Sequence, residues 1–350
     1  MHFGFGEDAL LLQKTVRDFL RAEHGADRVR AAWDTETGRS ADLWRKLADV
    51  GLAGALVPDA HGGMGLDETF GVLLLEECGR AAVAEPVVAT AAVGAPLLAE
   101  LGDAELAARW LPKVAAGEAL LAVGHRDVPF MSDAHVADLL LLPDAAGDLH
   151  AVPRDGAKLT AQPANDPSQK LFAVEFAGSD ATRVAEGARA AGLLAAAFDR
   201  GALACAAELV GVAEQLVEMA VAYTSQRKQF GRPIGSFQAV KHALANVKVR
   251  LEYARPLVYR AAYSVANGDA RRALHVAMAK AEAGEAATLA ARAALQAHGA
   301  IGYTFEQDLH IWMRRAWSLD LAWGARRLHR ERIAAAVLAP GTPIGPGTTF

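Results

Sequence analysis

Apolar positions recur every three to four residues over both ends of the chain and every second residue over its middle. Near the start, Leu10, Leu11, Lys14, Phe19 and Leu20 share one amphipathic helix, and Asp42 to Val50 forms a second, closed by Gly51. The stretch Pro58-Asp59-Ala60-His61-Gly62-Gly63-Met64-Gly65 favours turns. It leads to Asp67, an N-cap for a helix running to about Arg80, with further helices near 86–101 and 103–116. From about Leu120 the pattern changes. Asp138 to Pro143, Asp148 to Val152 after a Gly147 turn, and Leu171 to Phe176 read as strands. Helical periodicity returns from Ala188 to Leu338. There Ala273, Ala277, Ala281, Gly284, Thr288, Ala291 and Leu295 make a spine of mostly small residues that lets helices approach closely. The expected fold is mainly α: an all-α domain over 1–120, a short β domain over 121–187, a long-helix bundle over 188–340 and a Pro/Gly-rich tail over 341–350.

Composition narrows the function classes. With 350 residues, 52% hydrophobic and 22% charged, the chain can bury a large core, which rules out disorder. Lys plus Arg number 36 against 41 Asp plus Glu, so the net charge of -5 provides no basic field for nucleic acid or anionic lipid. Glu7, Asp8, Lys14, Arg17 and Asp18 interrupt any leader-like apolar core, and no run approaches the roughly 18 apolar residues of a membrane span. A cytoplasmic protein is expected. Cys78 and Cys205, the two cysteines, sit in helical contexts without metal-ligand spacing, so they read as buried small hydrophobes rather than a disulfide or a metal site.

The stretch Tyr223 to Gln238 carries the most chemistry. A long helix ends in Arg227-Lys228, a turn with Gly231 and Pro233 follows, and a helix restarts at about Ser236. An arginine fork matches a phosphate or pyrophosphate, and Phe230 would wall an aromatic ring beside it. The alternative is a cation satisfying the helix dipole.

Ala222-Tyr223-Thr224-Ser225-Gln226-Arg227-Lys228-Gln229-Phe230-Gly231, Ser236-Phe237-Gln238 and Gln296-Ala297-His298-Gly299-Ala300-Ile301-Gly302-Tyr303-Thr304 resemble the two signature segments of the acyl-CoA dehydrogenase family. Phe3 to Glu23, Trp44 to Pro58 and Gly62-Gly63-Met64-Gly65 resemble its N-terminal helical domain, so the likeness covers nearly the whole chain. The resemblance implies an all-α, β, all-α architecture, a dimer or tetramer built on the C-terminal bundle, and FAD as cofactor. It also implies an acyl-CoA thioester as substrate and an electron-transfer flavoprotein as acceptor. Carried over by residue, Arg227 pairs with the FAD pyrophosphate, Phe230 packs against the adenosine half, and Gln238, Gln296 and Gly299 line the remainder.

Two departures stand out. The family's reaction removes an α-proton from the thioester while hydride leaves the β-carbon for flavin, so it needs a positioned carboxylate. At the usual place for that glutamate the chain has Ala322-Trp323-Gly324-Ala325, and at the alternative place, near the expected start of the first long C-terminal helix, it has Gly201 and Ala202. Asp199 is the nearest carboxylate, as a base or as the N-cap of a helix beginning near Gly201. Arg200 is either a contact for a CoA phosphate or a solvated surface arginine. The second departure is the β domain, about half the family's length, in which Phe130, Phe172 and Phe176 read as core. Elsewhere Glu306, Asp308, His310, Arg314 and Arg315 read as a charged helix surface, with His310 either a ligand or a structural helix-surface histidine, and Glu331 reads as a surface ion-pair partner for Arg330 and Arg332 beside it.

Three functions follow. One is a subunit giving the ADP side of a shared FAD site to a second acyl-CoA dehydrogenase subunit that carries flavin cradle and base, as in the heterotetrameric (α2β2) acyl-CoA dehydrogenases that actinobacteria use on steroid side chains. The second is a self-sufficient homo-oligomeric dehydrogenase. The third is a non-enzymatic helical scaffold.

Overall fold

A computed structural model describes residues 4–343 and residue 345. Phe3, in the N-terminal likeness, and residues 344 and 346–350 of the expected tail lie outside the described residues. The chain divides into two compact units, one holding the residues up to Leu74 and Ala84–Ala204, the other Leu75–Val83 and the residues from Cys205 onward.

The first unit opens with α1 (Glu7–Glu23), α2 (Ala26–Trp33), α3 (Ala41–Asp49) and α4 (Glu68–Ala81), which continues into the second unit. Asp67 caps α4 as expected, its Oδ1 accepting from Thr69 N at 2.9 Å, and Ser40 caps α3, its Oγ accepting from Leu43 N at 3.2 Å. The buried face of α1 is Ala9, Val16 and Leu20, whereas Leu10 and Leu11 are exposed, so the apolar stripe is rotated from the expected one. Helix α2 buries only Val29, too little periodicity to announce itself. The expected helix over 86–101 divides into a π-helix, Val87–Gly94, and α5 (Ala95–Glu100), followed by α6 (Ala104–Ala115). The π register shows in Ala95 N donating to Thr90 O. Thr90 is fully buried, its Oγ1 donating to Leu121 O at 2.8 Å and accepting from Leu121 N at 3.1 Å.

Strands β1 (Leu121–Val123), β2 (Met131–Ser132), β3 (Leu139–Pro143), β4 (Leu149–Pro153), β5 (Ala157–Gln162), β6 (Leu171–Phe176) and β7 (Arg183–Ala185) make two sheets. Their orders are β1-β3-β4-β7, with β1 and β3 parallel, and β2-β6-β5, antiparallel throughout. The β core is Ala122, Met131, Ala134, Ala137, Leu140, Leu142 and Val152, with Phe172 and Phe176 packed against it. Phe130 does not belong to it; its ring is 41% exposed. Arg39 Nε donates to Asp133 Oδ1 at 2.9 Å and its Nη1 to Ser168 O at 2.7 Å, so the α2–α3 loop is tied to the loops before β3 and β6.

Helix α7 (Gly187–Gln226) begins in the first unit, continues into the second from Cys205, and leads there to a small ladder of β8 (Lys228–Gln229) and β9 (Arg232–Pro233). Then come α8 (Gln238–Ala266), α9 (Arg272–His298), α10 (Leu309–Leu321) and α11 (Arg326–Val337). Helices α4 and α7 touch through paired glycines: a Cβ on Gly79 would stand 2.0 Å from Glu208 O, and one on Gly211 1.9 Å from Glu76 O. At that crossing Glu76 is buried, and Arg255 bridges it at 2.6 Å to Glu214 at 2.7 Å. Arg315, expected on a charged surface, is 2% exposed and donates from Nη1 to Val83 O at 2.6 Å. His310 is half-buried against the Phe305 ring rather than on the surface, with ring centroids 4.9 Å apart. Glu331 pairs with Arg327 at 2.7 Å. Cys78 and Cys205 are both buried, and burial pushes the Cys205 thiol up to about 12. Among the described residues no helix is long and apolar enough to cross a membrane, and no group of three metal-ligating side chains occurs.

Candidate cofactor site

The last turn of α7 closes with Arg227 N donating to Tyr223 O at 2.9 Å, and the chain then turns back on itself, Ile234 N donating to Arg227 O at 2.8 Å at the end of the β8–β9 ladder. The helix therefore stops one residue before the arginine. Arg227 and Lys228 are exposed and in no ion pair among the described residues, unlike Arg255, Arg315 and Arg326 of the same unit. Phe230 stands at the tip of the turn with φ 51° and 91% exposure, its ring edge-on to Phe237 at 6.1 Å. Arg232 lies over the Phe237 ring, its guanidinium 4.1 Å from the centroid. Gln238 is exposed at the first position of α8.

The second segment lies at the end of α9. Gln296 is exposed in the last turn, His298 is the last residue, and Gly299 leaves the helix at φ 65°, ψ -142° with nothing within 4 Å of where a Cβ would be. That conformation suits glycine, and the open space above it admits a ligand close to the backbone. The two segments meet through Tyr223 and His298, whose rings stack with centroids 4.4 Å apart and planes at 22°. Arg227, Phe230 and Gln238 are thus brought to the same end of the bundle as Gln296 and Gly299. Tyr223 and His298 carry no role in the sequence reading although both lie inside the quoted motifs.

An unpaired guanidinium and an unobstructed glycine backbone on the two segments joined by the Tyr223–His298 stack suit a diphosphate, and the exposed Phe230 ring suits a flat heterocycle. The residues therefore fit the ADP half of FAD.

Asp199 and Arg200 belong elsewhere. Helix α7 begins at Gly187, not near Gly201, so Asp199 is a buried mid-helix residue, 4% exposed, and not an N-cap. The helical pattern that returns at 188 runs on unbroken through Gly201, so no second start occurs there. Arg200 is not a solvated surface side chain: it donates from Nε to Glu68 at 2.7 Å and from Nη1 and Nη2 to Glu100 at 2.8 and 2.6 Å. Gly201 and Ala202 are buried on the same helix.

The turn from α10 to α11 presents no carboxylate at Trp323, which is 8% exposed with φ 52°. Buried side chains hold it. Lys280, fully buried in the small-residue spine of α9, donates from Nζ to Asp320 O at 3.0 Å and Gly324 O at 3.2 Å. Burial lowers the Lys280 pKa, opposed by Cys205 and Asp320. His329 Nε2 donates to Trp323 O at 3.0 Å, and burial together with Lys280 pushes its pKa down to about 4. Arg326 grips the Asp320 carboxylate at 2.9 Å and Glu285 at 2.7 Å.

Comparisons with known proteins agree with this architecture. Residues 190–338 match the acyl-CoA dehydrogenase C-terminal domain and residues 6–118 the acyl-CoA dehydrogenase N-terminal domain. The chain is 32% identical over 311 residues to the acyl-CoA dehydrogenase IpdE2 of Mycobacterium tuberculosis, covering 89% of this chain and 91% of the relative. Among solved structures it resembles a chain of the ChsE4-ChsE5 complex from Mycobacterium tuberculosis, with TM-score 0.86, 26% identity, and coverage of 98% of this chain and 100% of that one. It also resembles a chain of the Tcur3481-Tcur3483 steroid ACAD, with TM-score 0.86, 26% identity and coverage of 96% and 99%. With both domains matched and a relative this similar along most of its length, the chain belongs to the acyl-CoA dehydrogenase family.

Proposed function

We propose that this chain is a subunit of an FAD-dependent acyl-CoA dehydrogenase assembly, giving the ADP side of the FAD site to a second subunit that holds the flavin ring and the catalytic glutamate. One observation carries the reading: the motif residues for a diphosphate gather at one end of the bundle while both base positions lack a carboxylate. Arg227 pairs with the pyrophosphate, Phe230 flanks the adenosine, and Gln238, Gln296 and Gly299 complete the site. Bound FAD supplies the hydride acceptor, and the electrons pass on to an electron-transfer flavoprotein. The substrate is an acyl-CoA thioester, and the likeness to the steroid ACAD favours a steroid side chain. The trimmed β domain, in which β1 is followed closely by the two-residue β2, supports assigning the flavin cradle to the second subunit.

Titrating ADP into the purified chain tests the reading. Arg227→Ala is expected to weaken ADP by about 10- to 100-fold, the equivalent of a charge-assisted bidentate contact. Absence of ADP binding by the wild-type chain, or equal affinity in Arg227→Ala, overturns it.

A further inference from the structure

We infer that His298 is a positioning residue for the ADP site, its stack on Tyr223 fixing the separation between the Arg227 turn and the Gln296–Gly299 segment. The inference rests on the proposed ADP reading and adds the element that sets its geometry.

His298 is 5% exposed and locked to its own helix, Nδ1 lying 2.7 Å from Ala294 O. A carbonyl only accepts, so Nδ1 carries a proton and the ring orientation is set. Directly after it, Gly299 N donates back to Leu295 O and Gln296 O, so the ring and the open glycine move as one body. The following turn folds over the same side chain: a Cβ on Gly302 would stand 3.0 Å from His298 Cβ. On the opposite side, the Tyr223 carbonyl accepts from Arg227 N and so closes the last turn of α7 immediately before the arginine. The ring stack, 4.4 Å between centroids, therefore joins the backbone that presents Arg227 to the backbone that presents Gly299. A branched aliphatic side chain would fill the same volume without imposing a plane or that spacing. Diphosphate recognition needs both, because one anion must reach a guanidinium on one segment and backbone on the other.

The experiment measures ADP affinity and urea midpoint for wild type, His298→Leu, His298→Phe, Arg227→Ala and the Arg227→Ala/His298→Leu double variant. His298→Leu is expected to weaken ADP about 3- to 10-fold, the scale of an aromatic pair, while His298→Phe, which keeps the ring, stays within about twofold of wild type. Because His298 acts through Arg227, the double variant should bind little worse than Arg227→Ala alone. Unchanged affinity in His298→Leu, equal losses in His298→Leu and His298→Phe, or additive losses in the double variant overturns the positioning role. Those results leave the ADP reading intact as long as Arg227→Ala loses affinity; if wild type binds no ADP, the reading itself fails. Should His298→Leu not fold, Tyr223→Leu against Tyr223→Phe interrogates the stack from its other side.

Discussion

Replacing Glu76 with glutamine should remove a pH-dependent part of the stability. Glu76 is 3% exposed where α4 crosses α7, with Oε2 accepting from Arg255 at 2.6 Å and Oε1 without a hydrogen-bond partner. The groups facing it are Arg255 and Tyr259 from α8, Glu214 from α7 and Glu77 on its own helix. Arg255 divides its charge between Glu76 and Glu214, and Lys248 pairs with Glu214 at 2.8 Å, so no cation is devoted to Glu76. Burial therefore outweighs Arg255 and raises the carboxyl from 4.5 to about 7. Between those values the unfolded chain has released a proton that the folded chain retains. Stability from this group is full below 4.5, falls as pH rises through the window, and is flat above about 7. At 1.36 kcal/mol per unit, the loss across the window is about 3 kcal/mol. Glutamine has no proton to lose. Its amide leaves a buried polar group near Oε1 at every pH, so the diagnostic is a change in slope, not an absolute shift. Urea unfolding followed by circular dichroism from about pH 5 to about pH 8 should show the variant gaining on wild type by about 2.5 kcal/mol as pH rises. Parallel profiles would refute the reasoning and put the Glu76 carboxyl back in the ordinary range.

Gly211→Ala should destabilise the helical unit by about 3 kcal/mol or more, since its Cβ would stand 1.9 Å from Glu76 O and the helices must separate to admit it; a urea midpoint equal to wild type would contradict the close approach. Lys280→Met should cost about 2–4 kcal/mol, because the Asp320 and Gly324 carbonyls lose their buried donor, and the same unfolding assay checks it.

The segments proposed for the cofactor stand out in the sequence because each is short: Arg227 and Phe230 lie three residues apart, as do Gln296 and Gly299. Strands β3, β4 and β6 were legible for a similar reason, each a short apolar or alternating run. Strand β5 does not stand out although Ala157, Leu159 and Ala161 alternate with Lys158, Thr160 and Gln162, because two of its three apolar positions are alanines, which favour strands weakly. The return of helix at 188 is legible, one residue from the start of α7, but nothing in residues 188–202 shows that one unbroken helix runs through Gly201, and a separate start there puts Asp199 in a capping role it does not have. Lys280 and Arg315 were missed for the opposite reason. A cation within a helical repeat reads as surface, yet each reaches backbone carbonyls of another segment, an arrangement with no trace in local spacing.

The π-helix at Val87–Gly94 makes the chain sensitive to length at that point. A π turn holds one more residue than the α turn it replaces, and here it places Thr90 where its hydroxyl both gives to and takes from Leu121. Removing a single residue from the segment would let it relax to α register, a change that conventional propensity favours. Everything beyond the deletion would then rotate by about 100° about the helix axis, and the fully buried Leu97 and Leu98 of α5 would face different neighbours. The segment can therefore accept substitutions of similar size but not a change in residue number. That would make it a fixed point in the alignment of related chains, where gaps belong in the flanking turns.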